Sequence, residues 1–188
     1  MQRGLPGTSR IRRLAVAAAA VALLSAPVLT GSSLTGTASA AESAKAAETT
    51  TAVATDVYAR LYNQGTGKCL AVPSGSPTAG TELIQWPCST STSEYWKLEA
   101  VTGGYLVRNQ ASDQCLAIPS GSPTEGVTAI QWTCSSTSNS QIWIRGDLGQ
   151  LTNKASSLCL AIPNTSTTDG TKAFQWACSG NKDQQWLW

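Results

Sequence analysis

A stretch of 22 residues recurs three times along the chain. It reads KCLAVPSGSPTAGTELIQWPCS from Lys68, QCLAIPSGSPTEGVTAIQWTCS from Gln114 and LCLAIPNTSTTDGTKAFQWACS from Leu158. Repetition of this kind constrains architecture before any local propensity does, because each copy must fold the same way and then pack against its neighbours. The first cysteines, Cys69, Cys115 and Cys159, are spaced 46 and 44 residues apart. Offsets within the copies agree: a proline four residues on, a glycine eleven on, a glutamine sixteen on, a tryptophan seventeen on and a cysteine nineteen on. A second tryptophan, Trp96, Trp143 or Trp186, follows each second cysteine by eight or nine residues. Asn63, Asn109 and Asn153 each stand six before the first cysteine.

Each unit reads as four short strands. VYARLYN, GYLVRN and GQLTN form the first of each, and CLAV or CLAI the second. ELIQW, TAIQW and KAFQW are the third, and YWKL, IWIR and QWLW the fourth. Ser, Gly, Pro and Thr between them are turn chemistry. The three asparagines are expected to make turns after each first strand. Long helical periodicity is absent, so the chain is all-β with about twelve short strands. Three blades are too few for a propeller. An open solenoid needs distinct capping units, and these three are equally complete. A closed threefold β structure fits, and closure removes exposed strand edges.

Six cysteines allow fifteen pairings. The repeat selects one of them, since identical units close identically: Cys69–Cys88, Cys115–Cys134 and Cys159–Cys178. Each loop of about 20 residues is worth roughly 3 kcal/mol in the chain-entropy model. The chain has no histidine and no CxxC pair. That argues against zinc and against thiol redox chemistry, and no metal or cofactor is expected.

Disulfides imply export. Arginines at 3, 10, 12 and 13 precede the apolar run Leu14 to Leu24, and Ala38-Ser39-Ala40 offers a cleavage site. Residues 1–40 therefore read as a secretory signal peptide. Eleven apolar residues are too few for a bilayer span. Residues 41–55, rich in Ala, Thr and Glu, read as a flexible leader. The folded domain is expected over 56–188, with units at about 56–100, 101–146 and 147–188. The full chain has 13 Lys+Arg against 11 Asp+Glu. Four arginines leave with the signal peptide, so nine basic residues remain against eleven acidic ones. The basic balance therefore belongs to the signal peptide and does not point to nucleic acid. The expected location is extracellular.

The thrice-repeated Cys-Leu-Ala-[Val/Ile], the Trp-x-Cys at each second cysteine, and Gln141-Ile142-Trp143 with Gln184-Gln185-Trp186 carry a resemblance. Over about residues 56–188 the chain resembles the ricin-type β-trefoil lectin domain, also found as a carbohydrate-binding module on secreted glycosidases. In the first unit the Gln-x-Trp signature is altered to Glu94-Tyr95-Trp96. The resemblance implies a β-trefoil with pseudo-threefold symmetry: a six-stranded barrel capped by three hairpins, with Trp96, Trp143 and Trp186 in the shared core. It also implies up to three shallow sugar sites. In each, an aspartate after Cys-Leu accepts hydrogen bonds from sugar hydroxyls, an aromatic fifteen residues on stacks against the sugar face, and an asparagine near Gln-x-Trp completes the polar set.

The chain departs from that pattern in all three units. Ala71, Ala117 and Ala161 occupy the aspartate position, and Ser93, Ser140 and Asp183 the asparagine position. The aromatic is kept as Trp86, Trp132 and Trp176. Strand alternation places Ile84, Ile130 and Phe174 on the face of those tryptophans, and Gln85, Gln131 and Gln175 on the other. Two readings follow. Either the tryptophans pack inward over the small alanines and the sites are filled, or they still stack on sugar and the glutamines replace the aspartates as polar anchors. On the second reading the candidate sugar residues are Ala71, Gln85 and Trp86, with Ala117, Gln131, Trp132, Ala161, Gln175 and Trp176.

The function this supports is a secreted, non-catalytic carbohydrate-binding protein. The alternative is a trefoil that binds protein, such as a hydrolase inhibitor, since one fold hosts both. That alternative calls for one unusual loop, and the sole irregularity is an extra residue between Cys134 and Trp143. Catalysis is not expected. Glycoside hydrolysis needs two placed carboxylates, no acid recurs across the units, and without histidine there is no Ser-His-Asp arrangement.

Overall fold

The computed structural model of the protein describes residues 57–188. The expected signal peptide, the leader and Asp56 lie outside the described residues. The first unit contributes β1 (Ala59–Arg60), β2 (Tyr62–Asn63), β3 (Cys69–Ala71), β4 (Ile84–Trp86) and β5 (Tyr95–Val101). The second contributes β6 (Gly104–Asn109), β7 (Cys115–Ala117), β8 (Ile130–Trp132) and β9 (Trp143–Arg145). The third contributes β10 (Leu151–Asn153), β11 (Cys159–Ala161), β12 (Phe174–Trp176) and β13 (Trp186–Leu187). The described residues thus hold thirteen strands rather than twelve, because the first strand of the first unit divides at the fully buried Leu61. It changes partner there: β1 pairs with β5, and β2 with β13.

That change of partner closes the barrel. β5 pairs with β6, β6 with β9, and β9 with β10. A bridge between Gln150 and Gln185 joins the β10 end to β13, which returns to β2. The remaining strands form three hairpins, β3–β4, β7–β8 and β11–β12, with matching register: each first cysteine lies opposite the tryptophan of its partner strand. The hairpins meet on the threefold axis. There the Leu83 N–H donates to the Ala129 carbonyl, Ala129 to Ala173 and Ala173 to Leu83, each at 2.9 Å. This is the closed threefold β structure expected from the repeats and the β-trefoil implied by the resemblance. All three disulfides pair within their units as the repeat selects.

Trp96, Trp143 and Trp186 are fully buried in one apolar cluster, together with Leu70, Leu116 and Leu160. A buried indole N–H needs an acceptor. Each finds the carbonyl of its own unit's Cys-Leu leucine: Leu70 at 2.9 Å, Leu116 at 3.0 Å and Leu160 at 2.9 Å. The second tryptophan therefore ties the fourth strand of each unit to its second. The asparagines make the expected turns, with Oδ1 of Asn109 accepting from the N–H groups of Ala111 and Ser112. They also reach between units: Nδ2 of Asn63, Asn109 and Asn153 donates to the carbonyls of Asp183, Ser93 and Ser140 at 2.8–2.9 Å.

Candidate functional site

The third strand of each unit sorts its side chains by alternation. On β4, Ile84 is half-buried, Gln85 fully buried and Trp86 46% exposed. Trp132 and Trp176 are 49% and 44% exposed, so the reading in which these tryptophans pack inward does not hold. Each tryptophan instead walls an open groove, of about 430 Å³ in the first unit, 480 Å³ in the second and 440 Å³ in the third. Ala71 and Ala117 lie in the first two grooves. Ala161 is fully buried and does not line the third.

One rim of each groove is the turn after Cys-Leu-Ala. Ser74, Ser120 and Asn164 adopt left-handed backbone there, with φ of 51–53°. Short polar side chains tolerate that region best after glycine. Behind each tryptophan stands a loop of the neighbouring unit. Gly80, at φ 86°, sits so close to the Trp132 ring that a Cβ added there would lie 3.5 Å from Cζ3.

The opposite rim follows each second cysteine. Ser91 and Ser93 line the first groove with hydroxyl oxygens 2.8 Å apart, and Ser138 and Ser140 repeat that pair at 2.8 Å in the second. The extra residue of the second unit is absorbed just before this pair, where the Ser138 N–H closes a turn onto the Ser135 carbonyl at 3.3 Å; the next turn, from the Gln141 N–H to the Ser138 carbonyl at 3.0 Å, recurs in the other units as Glu94 to Ser91 and Gln184 to Asn181. In the third groove the matching positions are Asn181 and Asp183. Partial burial raises the Asp183 pKa above the ordinary aspartate value, and its own backbone N–H opposes this. Phe174 replaces isoleucine in this groove, with its ring 5.5 Å from that of Trp176 and tilted by 51°. The third groove is therefore the most aromatic, and it carries a partly exposed carboxylate. Glu94, in the first groove, is buried and accepts from the Ser89 N–H and hydroxyl at 2.5 and 2.8 Å.

The glutamines are not polar anchors of the grooves. Gln85, Gln131 and Gln175 are fully buried and line none of them. Their amide nitrogens clasp the loop of the preceding unit in a closed cycle. Gln131 Nε2 donates to the carbonyls of Ser76 and Thr78 at 2.7 and 2.9 Å. Gln175 donates to Ser122 and Thr124, both at 2.7 Å, and Gln85 to Ser166 and Thr168 at 2.6 and 2.9 Å. Alternation had assigned the glutamines to the face away from tryptophan. That face proves to be an inter-unit seam, where two backbone acceptors leave no donor for a ligand. Gln131→Ala is therefore expected to destabilise the fold by about 1–3 kcal/mol, through the two orphaned carbonyls. Urea unfolding measures the loss, and glycan affinity at saturating folded protein should stay unchanged.

Polar residues that do line the grooves include Ser74, Ser91 and Ser93 with their copies, Asp183 among them, and the buried Glu94, Gln141 and Gln184. The Ser-x-Ser-x-Ser alternation from Ser89 to Ser93 is the signal that marks the rim in the sequence.

Comparison with known proteins agrees with this geometry. A family model, the ricin-type β-trefoil lectin domain, matches residues 57–186. Among solved structures, a designed threefold-symmetric protein, ThreeFoil, is 30% identical, with a TM-score of 0.66 over 69% of this chain and 95% of its own. An exo-β-1,3-galactanase from Clostridium thermocellum is 29% identical, with a TM-score of 0.65 over 70% of this chain but 29% of its own. The C-half of an earthworm R-type lectin, solved in complex with GalNAc, shares the fold at 15% identity, with a TM-score of 0.58 over 69% of this chain and 95% of its own. Comparison with curated proteins finds no match. With the repeat, the closed barrel, the three core tryptophans and the family match over 57–186 in agreement, the chain belongs to the ricin-type β-trefoil lectin domain family, whose fold is that of carbohydrate-binding lectins.

Proposed function

We propose that the protein is a secreted, non-catalytic carbohydrate-binding protein whose three grooves each receive one sugar ring against Trp86, Trp132 or Trp176. The observation that carries this reading is the half-exposure of all three tryptophans above a polar rim, repeated in every unit. A pyranose has apolar C–H faces and a hydroxyl edge. The indole covers the face, and the rim meets the edge. With alanine at 71, 117 and 161, hydroxyl recognition falls to Ser91, Ser93, Ser138 and Ser140 in the first two grooves and to Asn181 and Asp183 in the third. Neutral hydroxyl partners form weaker hydrogen bonds than a carboxylate. The third groove is thus the tightest, and linked sugars gain strength by engaging several grooves. The non-catalytic reading is supported by the groove linings, none of which brings together the two carboxylates that glycoside hydrolysis uses.

A broad array of neutral glycans and polysaccharides, probed with the oxidised protein, tests the proposal. Binding that favours linked over single sugars is expected. A blank from folded protein would remove the sugar reading and favour a protein partner.

Asp183 gives the third groove a pH signature. Its raised pKa means that the native state holds the proton more tightly than the unfolded chain does. Lowering pH through that pKa therefore favours the folded state at this group, opposite to a paired carboxylate. The same protonation removes the charged acceptor. Affinity of the third groove should fall on acidification, with a midpoint above the ordinary aspartate value, while the fold persists. Asp183→Asn should remove the pH dependence in a titration calorimetry series.

A further inference from the structure

A fourth concavity, of about 590 Å³, opens where β1, β2, β5 and β13 meet and shares no residue with the three grooves. Tyr58, Arg60 and Tyr95 line it from the residue before β1, from β1 and from β5; Tyr62 and Trp188 line it from β2 and from the residue after β13. The Cys69–Cys88 disulfide also lines it. Its walls are fixed. Arg60 and Tyr95 are cross-strand partners, with the guanidinium carbon 5.5 Å from the ring centroid. Trp188 is held by its indole N–H, which donates to the Trp96 carbonyl at 3.3 Å.

The pseudo-threefold symmetry shows that the arginine–tyrosine pair of this opening is specific to the first unit. Arg60 stands nine residues before its cysteine and Tyr95 one before its tryptophan; the same positions are Leu106 and Ile142 in the second unit, and Gln150 and Gln185 in the third. Leu106 and Ile142 are buried and pack with Cys115 and Cys134, so the equivalent space is closed by aliphatic side chains. Gln150 and Gln185 face each other across the same backbone pairing as Arg60 and Tyr95, and bring neither a ring nor a cation to it. In the first unit, an exposed arginine and a half-buried tyrosine leave the space open instead.

Charge then selects the ligand. Arg108 is neutralised by Glu99 and Asp113, both at 3.0 Å. Among the described residues, Arg60 pairs with no carboxylate and no acidic side chain lines the cleft. A solvent-facing guanidinium set among three tyrosines and a tryptophan suits a ligand with a flat apolar face, hydroxyls and a carboxylate. Guanidinium matches carboxylate in a bidentate fork, and the rings supply stacking surface with phenol hydroxyls at their edges. We propose that this cleft is a fourth site, which binds an acidic sugar: a uronate residue stacked on the tyrosines, with its carboxylate on Arg60.

The test is calorimetric titration of the oxidised protein with a galacturonate oligosaccharide and with the same oligosaccharide after reduction of its carboxyls. Saturable binding of the acidic form is expected, and at least about tenfold weaker binding of the reduced form. Arg60→Gln should weaken acidic binding by a similar factor, as should Tyr62→Ala; both residues are exposed, and an unchanged melting curve confirms folding. The triple alanine variant at Trp86, Trp132 and Trp176 should bind the uronate like the parent. No saturable binding by the parent overturns the site, as does equal affinity for the reduced oligosaccharide or for Arg60→Gln. Loss of uronate binding in the triple variant moves the ligand to the grooves and overturns it too. The groove reading is judged separately, by neutral glycans.

Discussion

Replacing Trp86, Trp132 and Trp176 together by alanine should abolish measurable binding of neutral glycans and leave the fold intact. Each ring presents about half of its surface to solvent above a groove, so its removal opens little of the core. A single stacking contact is worth about 0.5–1.5 kcal/mol beyond the area it buries. That is roughly two- to tenfold at one groove, but on a polymer that engages several grooves the losses compound toward about 10²–10⁴-fold. Surface substitutions of this kind shift stability by only a few tenths to about 1 kcal/mol. Adsorption to an array-positive polysaccharide, beside a thermal melt, reads both effects. Parental adsorption by the triple variant would discard stacking at these grooves. Failure to fold would mean that the rings support the neighbouring loops at Gly80, Gly126 and Gly170 more than their exposure suggests.

Trp143→Ala should do the reverse and destabilise the protein by about 3–5 kcal/mol, the range for emptying a large aromatic from a core. Trp143 has no exposed surface and sits in the common cluster with Trp96 and Trp186. Its removal also strips the Leu116 carbonyl of its donor, a further cost of about 1 kcal/mol or more. Domains have about 5–15 kcal/mol in total, so the variant should be marginal or unfolded. Trp143→Phe separates the two contributions by keeping most of the ring and losing the N–H. It should fall between the parent and Trp143→Ala in urea unfolding. Equal stability of Trp143→Phe and the parent would show that the indole hydrogen bond contributes nothing net. Trp132 makes the contrast: within one repeat, the same residue type lies half-exposed above a groove at one position and fully buried in the core at another.

Much of this was legible before any coordinates. A repeat with fixed offsets forces each unit into one conformation, so strand order, disulfide pairing and the core role of Trp96, Trp143 and Trp186 could be read from spacing and resemblance. Period-two alternation also placed Ile84 beside Trp86, and Gln85 on the opposite face, correctly. What lies on each face was another matter. Alternation says that two faces differ and is silent on which meets solvent. That depends on the neighbouring unit, whose Ser76–Thr78 backbone accepts the Gln131 amide and thereby turns Trp132 outward. The fourth cleft was illegible for the same reason. Tyr58, Arg60 and Tyr62 are close in sequence but far from Tyr95 and Trp188, and the two sets meet only because the strand divides at Leu61 and pairs with two partners. Local pattern establishes which residues share a face; contact between units establishes what that face is for.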